Sequence, residues 1–161
     1  MNKLIRQIYK EWKLVKKRAQ QDCEKRALFN MAEKYHACCM FKGTEDIEQI
    51  IKLFTSPQGV EFCQQYQFPD IQTLRKFKQY EVERFGVFID AGRIALNNVR
   101  RIVLVGDTQA TITCDNTCRY EIIMMHGAKA EVNATGWAVV SIINKTGCEV
   151  KVTATERAKI L

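Results

Sequence analysis

The sequence predicts an α+β chain in which N-terminal helices lead into a short β-solenoid with 20-residue rungs. Two observations carry that prediction. The first is a repeat: Thr108–Asp115, Ala128–Thr135 and Cys148–Thr155 superpose at steps of 20 residues. A fixed period of this length marks a stacked fold in which each unit contacts mainly its neighbours. The second is a change of period near Gly86. Before it, apolar residues recur at steps of three and four; after it, they alternate, which is the signature of strands. An antiparallel β-meander with accidental similarity is the alternative architecture. The division falls into a helical region, 1–84, and a solenoid-like region, 85–161.

In the helical region, Ile5, Ile8, Trp12, Val15, Ala19 and Cys23 form one amphipathic stripe. The pattern runs on toward Tyr35, with a break near Asn30. Gly43 ends this segment, and Thr44 is a suitable N-cap for a helix carrying Ile47, Ile50, Ile51 and Phe54. Ser56-Pro57 starts another helix, with Pro at the first helical position and Val60, Phe62 and Cys63 facing inward. Pro69-Asp70 opens a short helix with Ile71, Leu74 and Phe77.

In the β region, the columns Thr108/Ala128/Cys148, Ala110/Ala130/Val150, Ile112/Val132/Val152 and Cys114/Ala134/Ala154 are small or apolar, as a narrow dry interior requires. The intervening columns, Gln109/Lys129/Glu149, Thr111/Glu131/Lys151 and Thr113/Asn133/Thr153, are polar and predicted to be solvated. So positions 110, 112, 130, 132, 150 and 152 are expected inside and 111, 131 and 151 outside. A second strand per rung is read from Ile102/Ile122/Ile142 and Val103/Ile123/Ile143. Corners are expected at Gly106-Asp107, His126-Gly127 and Thr146-Gly147, and at Asp115-Asn116 and Thr135-Gly136. About three rungs result. Residues 87–106 are a candidate for one more, although Val87–Gly92 does not keep the 20-residue parity.

The ends of such a stack are open. Ala158–Leu161 begins a further half-rung before the chain stops, leaving an apolar cross-section and unpaired strand edges. A second subunit is the expected cover, giving a homodimer or homotrimer.

Composition narrows the function classes. The 161 residues carry a net charge of +7, and residues 1–35 hold ten Lys or Arg against four Asp or Glu. The surplus therefore sits on the first helices. Lys10, Lys13, Lys16, Lys17 and Arg18 form a candidate surface for nucleic acid or an acidic protein; a solvated helix face is the plainer reading. No run of 18 apolar residues is present, so no membrane span is expected. The N-terminus lacks an apolar signal core, and seven cysteines, an odd number, fit free thiols in the cytoplasm better than a disulfide scaffold.

Chemistry-bearing clusters are sparse. His36-Ala37-Cys38-Cys39 has metal-ligand residue types but lacks a second pair with zinc-site spacing, and reads instead as a buried helix end. Cys114, Cys118 and Cys148 align with alanines one rung away, so their thiols read as volume. His126 with Asp107 and Asp115 is a candidate acid–base site, although the aligned Gly106 favours a turn role. No phosphate-binding glycine loop, nucleophile elbow or paired-carboxylate motif appears, and no cofactor is expected.

Two stretches, Phe54–Cys63 and Met125–Ala130 with Ala134–Val140, resemble segments of uncharacterised small proteins from gut Bacteroides genomes. The resemblance implies a bacterial, phage or mobile-element setting and carries no activity. The expected function is a non-enzymatic intracellular interaction or assembly protein; the alternative is a nucleic-acid or nucleotide-binding protein that uses the basic helix.

Overall fold

The computed structural model describes residues 2–144 and 147–161. Five α-helices come first: α1 (Lys3–Lys25), α2 (Phe29–Ala37), α3 (Ile47–Phe54), α4 (Pro57–Tyr66) and α5 (Ile71–Arg75). Two 3₁₀ segments, Lys78–Tyr80 and Val82–Phe85, lead to Gly86 and the first strand. Nine strands follow among the described residues: β1 (Val87–Ile89), β2 (Gly92–Asn97), β3 (Arg101–Val105), β4 (Thr108–Cys114), β5 (Arg119–Met125), β6 (Lys129–Ala134), β7 (Val139–Asn144), β8 (Glu149–Ala154) and β9 (Lys159–Ile160).

Every strand pairs in parallel with the strand two places along, so odd strands build one sheet and even strands another. This is a parallel β-solenoid of about four turns, one more than the three rungs read from the repeat. From β3 onward the step is 20 residues: Ile102 pairs with Ile122, and Ile122 with Ile142; Ile112 pairs with Val132, and Val132 with Val152.

The first rung explains the parity break. Its partners are Val87 with Val103 and Ile94 with Ala110, a step of 16 residues. Four residues are missing from the corner between β2 and β3, and the faces stay in phase because the register is counted within the strands. Two left-handed residues make the short rung's corners. Asp90 (φ 45°) accepts from the Asp107 amide at 2.8 Å. Asn98 (φ 55°) accepts at Oδ1 from the Asp115 amide at 3.0 Å and the Tyr120 hydroxyl at 2.7 Å. Short polar side chains tolerate this backbone region and bond locally to the chain. Each therefore links the first rung to the corner below.

Two apolar cores lie on either side of the odd-strand sheet. One is the solenoid interior, holding Ile102, Leu104, Ile112, Tyr120, Ile122 and Val132. The other joins the opposite face of the same sheet, through Val87, Ile89, Val103, Val105, Ile123 and Met125, to Ile5, Ile8, Ile50, Phe54, Leu74 and Phe77 of the helices. The helices thus cover a side of the solenoid rather than its last rung. The near-continuous apolar runs of β3 and β5 follow from burial on both faces. Among the described residues the even-strand sheet has no such cover, and its outward residues Gln109, Thr111, Lys129 and Glu131 are exposed.

Inward positions 110, 112, 130 and 132 are buried, as the repeat predicts, and 111, 131 and 151 are exposed. In the last rung Val150 is half-buried and Val152 is 37% exposed, which corrects the expectation that both are inside. Their register is right, but no strand lies beneath them among the described residues.

The helix starts follow local capping. Asp46, rather than Thr44, caps α3: its side chain accepts from the Gln49 amide and Gln49 reciprocates, forming a capping box. Ser56 caps α4, with Pro57 in its first turn, and Asp70 caps α5. The first helix breaks at Arg26–Leu28 rather than near Asn30, with Ala27 at φ 57°. The corner at Thr146 and the adjoining Lys145 lie outside the described residues. Among those described, no helix is long and apolar enough to cross a membrane.

Candidate functional site: a basic helix face and an aromatic groove

Helix α1 has two distinct faces. Ile5, Ile8, Val15, Ala19 and Cys23 are buried against the rest of the helical layer. On the far side, Lys3, Arg6, Lys10, Lys13 and Lys17 are exposed at steps of three and four residues. That spacing places them in one row about 21 Å long at 1.5 Å per residue. None of the five makes an ion pair among the described residues. Lys13 lies over the Tyr9 ring, 5.0 Å from its centroid. Leu14, 66% exposed, sits within the same face.

The five cations read from sequence are therefore only partly brought together. Lys10, Lys13 and Lys17 belong to the row. Lys16 turns aside, and its ammonium donates to the Cys38 carbonyl at 2.6 Å. Arg18 is exposed but lies about 100° round the helix from Lys17. Lys3 and Arg6 complete the row; their three- and four-residue spacing from Lys10 is the signal that identifies them.

Beneath α1 lies a groove of about 270 Å³ between α2 and α4. Met31, Tyr35 and Cys38, at steps of four and three, form one wall; Gln58, Glu61 and Gln65, at steps of three and four, edge the other. Its floor is aromatic, with Phe54 and Phe68 nearly fully buried. The rings pack edge-on: Trp12 on Phe62 at 5.1 Å, Tyr35 on Phe62 at 5.8 Å, Phe54 on Phe68 at 5.6 Å. Edge-to-face packing holds such rings in defined orientations. Sequence spacing does not reveal this groove, because its aromatics are scattered from Trp12 to Phe68 and no local period links them.

His126 occupies a left-handed corner (φ 55°) and packs toward the helices, not toward Asp107 or Asp115. Its Nε2 is 3.2 Å from the Pro69 carbonyl and 3.6 Å from Cys63 Sγ. Asp107 instead meets Asp90, and Asp115 meets Asn98, correcting the acid–base grouping. Burial lowers the His126 pKa, against the pull of the Pro69 carbonyl and Asp70. Burial, with Asp70 nearby, pushes the Cys63 thiol up to about 11. Both groups are thus neutral near pH 7, and the pair lacks the thiolate–imidazolium character of an activated nucleophile.

Polar ties between the helical layer and the solenoid include His126 with Pro69, Arg75 Nε on the Asp90 carboxylate at 2.6 Å, Lys78 Nζ on the Asp90 carbonyl at 3.2 Å and Arg101 Nη2 on the Thr55 carbonyl at 2.8 Å.

His36 and Cys39 are exposed and Cys38 is half-buried, which corrects the reading of a buried helix end. Among the described residues, no three His, Cys, Asp or Glu side chains are grouped to hold a metal ion. Cys114 is buried in the interior and pairs in register with Ala134. A wider depression of about 570 Å³ lies on the exposed even-strand sheet. Its charges partly satisfy one another, Lys129 Nζ meeting Glu149 Oε2 at 3.1 Å.

No family model, curated protein or solved structure matches this chain.

Proposed function

We propose that this protein is a non-enzymatic interaction module whose docking element is the basic face of α1, held on a rigid solenoid and directed at an acidic partner, either protein or nucleic acid. The observation that carries this reading is the row Lys3, Arg6, Lys10, Lys13 and Lys17, which forms no ion pairs among the described residues. A row of like charge lacking internal partners raises the local concentration of polyanions and speeds encounter. A cytoplasmic setting accords with seven cysteines that form no disulfide.

The test is binding to heparin and to duplex DNA across a salt series. Replacing Lys3, Lys10, Lys13 and Lys17 with Gln should flatten the salt dependence, by about 0.9 in log–log slope for each phosphate no longer neutralised. Replacing Lys16, Lys129, Lys151 and Lys159 removes equal charge and should leave most of the slope in place. Equal losses from both sets would reduce the effect to net charge alone and sink the assignment.

Self-association is a second reading, favoured by the openness of Val152 and Ile160, each 37% exposed on an apolar rung. A homodimer or homotrimer would cover them. A light-scattering mass near 18.6 kDa at micromolar concentration would rule this out for the 161-residue chain.

A further inference from the structure

We propose that the groove between α2 and α4 is a binding site for a small organic cation, an amine carried on an aromatic or alkyl body. The site is separate from the basic face of α1: Trp12 points into the groove while Lys10 and Lys13 point away from it.

Size comes first. At about 270 Å³ the groove falls just below the roughly 300–1,000 Å³ usual for drug-sized ligands, so its occupant is small. Its walls are largely apolar and its floor is aromatic, with Gln58, Glu61 and Gln65 along the α4 edge. This is the ordinary layout of a small-molecule site, in which apolar contact supplies affinity and a few polar groups set orientation.

Charge then selects the ligand class. Glu61 is the one charged side chain among the lining residues, which include no Lys, Arg or His. Glu61 makes no ion pair among the described residues and is exposed at the rim. A fatty acid or other carboxylate would face Glu61, while the Lys16 ammonium behind the α2 wall is already engaged by the Cys38 carbonyl at 2.6 Å. An amine would meet Glu61 and, beside it, the rings of Phe62, Tyr35 and Trp12. Aromatic faces attract cations through their quadrupole, and the attraction grows as water is excluded. The Glu61 field is already felt locally: burial chiefly, with Cys23 and Glu61 contributing, raises the Tyr35 pKa and keeps its phenol neutral. Met31 and Met40 at the rim, 41% and 54% exposed, supply adaptable apolar surface for the ligand's body.

The experiment uses three probes of matched shape: phenethylamine, 2-phenylethanol and 3-phenylpropionate. Trp137→Phe leaves Trp12 as the only tryptophan, so its emission reports the groove directly. Phenethylamine should bind about three- to tenfold more tightly than the alcohol, with the carboxylate weakest. Glu61→Gln should bring the amine down by about threefold and leave the alcohol unchanged, with no loss of melting temperature because Glu61 is exposed. Equal or tighter binding of the carboxylate would overturn the proposal. So would silence of Trp12 toward all three probes up to about 10 mM, a limit corresponding to negligible affinity. Binding of an amphipathic peptide with no binding of the amine would likewise assign the groove to a protein partner and overturn it.

Discussion

Ile122 and Ile123 are consecutive in sequence and both fully buried, yet they belong to different cores. Ile122 points into the solenoid and Ile123 into the helical layer. One strand thus serves two packing surfaces, and substitution on either side should be costly. Ile122→Ala and Ile123→Ala are each expected to lose about 2–5 kcal/mol in urea unfolding, the usual range for such truncations. On the uncovered sheet the faces differ: Ile112→Ala should fall in the same range, and Thr111→Ala should stay within about 0.5 kcal/mol. A small effect for Ile123→Ala would mean that the helices do not seal the sheet.

Val132 and Glu131 give the matching charge test on the even-strand sheet. Val132→Asp places an unpaired charge in a dry interior and should abolish folding, because such a charge lacks solvation there. Glu131→Lys sits on the exposed face and should leave the melting temperature nearly unchanged. Circular dichroism on both variants reads the register directly.

His126 supplies a pH dependence whose sign is fixed by burial. Its folded-state pKa is depressed, so the unfolded chain binds the proton more readily. Stability is complete above the unfolded value of about 6.5 and is lost as pH falls through the lower folded value. The groups facing the ring include Cys63, Asp70 and Arg75, with the Pro69 carbonyl. His126→Asn keeps a residue suited to the left-handed corner. Melting curves from pH 7.5 to 5 should be flatter for this variant than for the parent; parallel curves would count against a buried neutral imidazole.

Asn98 should be a sensitive, half-buried corner. Its Oδ1 accepts from the Asp115 amide and the Tyr120 hydroxyl, while Nδ2 donates to Asp115 at 2.7 Å. Asn98→Ala strands these groups and adds left-handed strain, an expected loss of about 2–4 kcal/mol. Asn98→Gly relieves the strain without restoring the hydrogen bonds, so its cost should be smaller. Equal melting temperatures for the two variants would mean that backbone strain at 98 is negligible.

Gly59 of α4 lies tight against the last turn of α3. A Cβ there would collide with the backbone carbonyl oxygens of Leu53 and Phe54, at 2.7 Å from the latter. Gly59→Ala should therefore destabilise, although alanine is the better helix former. The same shift would disturb the groove floor at Phe54, so amine binding should weaken in parallel. An unchanged melting temperature would show that the two helices can separate freely.

The solenoid is legible in the sequence because its register repeats: Ala110, Ala130 and Val150 form one column at a constant step. Asp90 and Asn98 fall outside the corners that the 20-residue repeat predicts, and their part in a 16-residue rung is not legible, since a step of 20 aligns Val87 with Asp107. The two-faced burial of Val103 and Ile123 is latent in their unbroken apolar runs. The groove and the Cys63–His126 contact are not legible. Each joins residues far apart in sequence through packing of separate elements, and spacing carries no trace of that. The basic row is half legible: Lys16-Lys17-Arg18 stands out as a block of adjacent cations, whereas a helix presents as neighbours the residues three and four apart.

The parallel 20-residue register makes length a separable property of this molecule. The helical layer seals β1, β3 and β5, while Ile143 of β7 is only half-buried against it. Copying residues 119–138 in tandem would therefore insert one more coil without altering the basic helix or the groove, and would lengthen the stack by about 4.8 Å. Such growth by duplication offers a simple history for the three matching segments, and a ruler-like way to set how far the last rung stands from the helical layer.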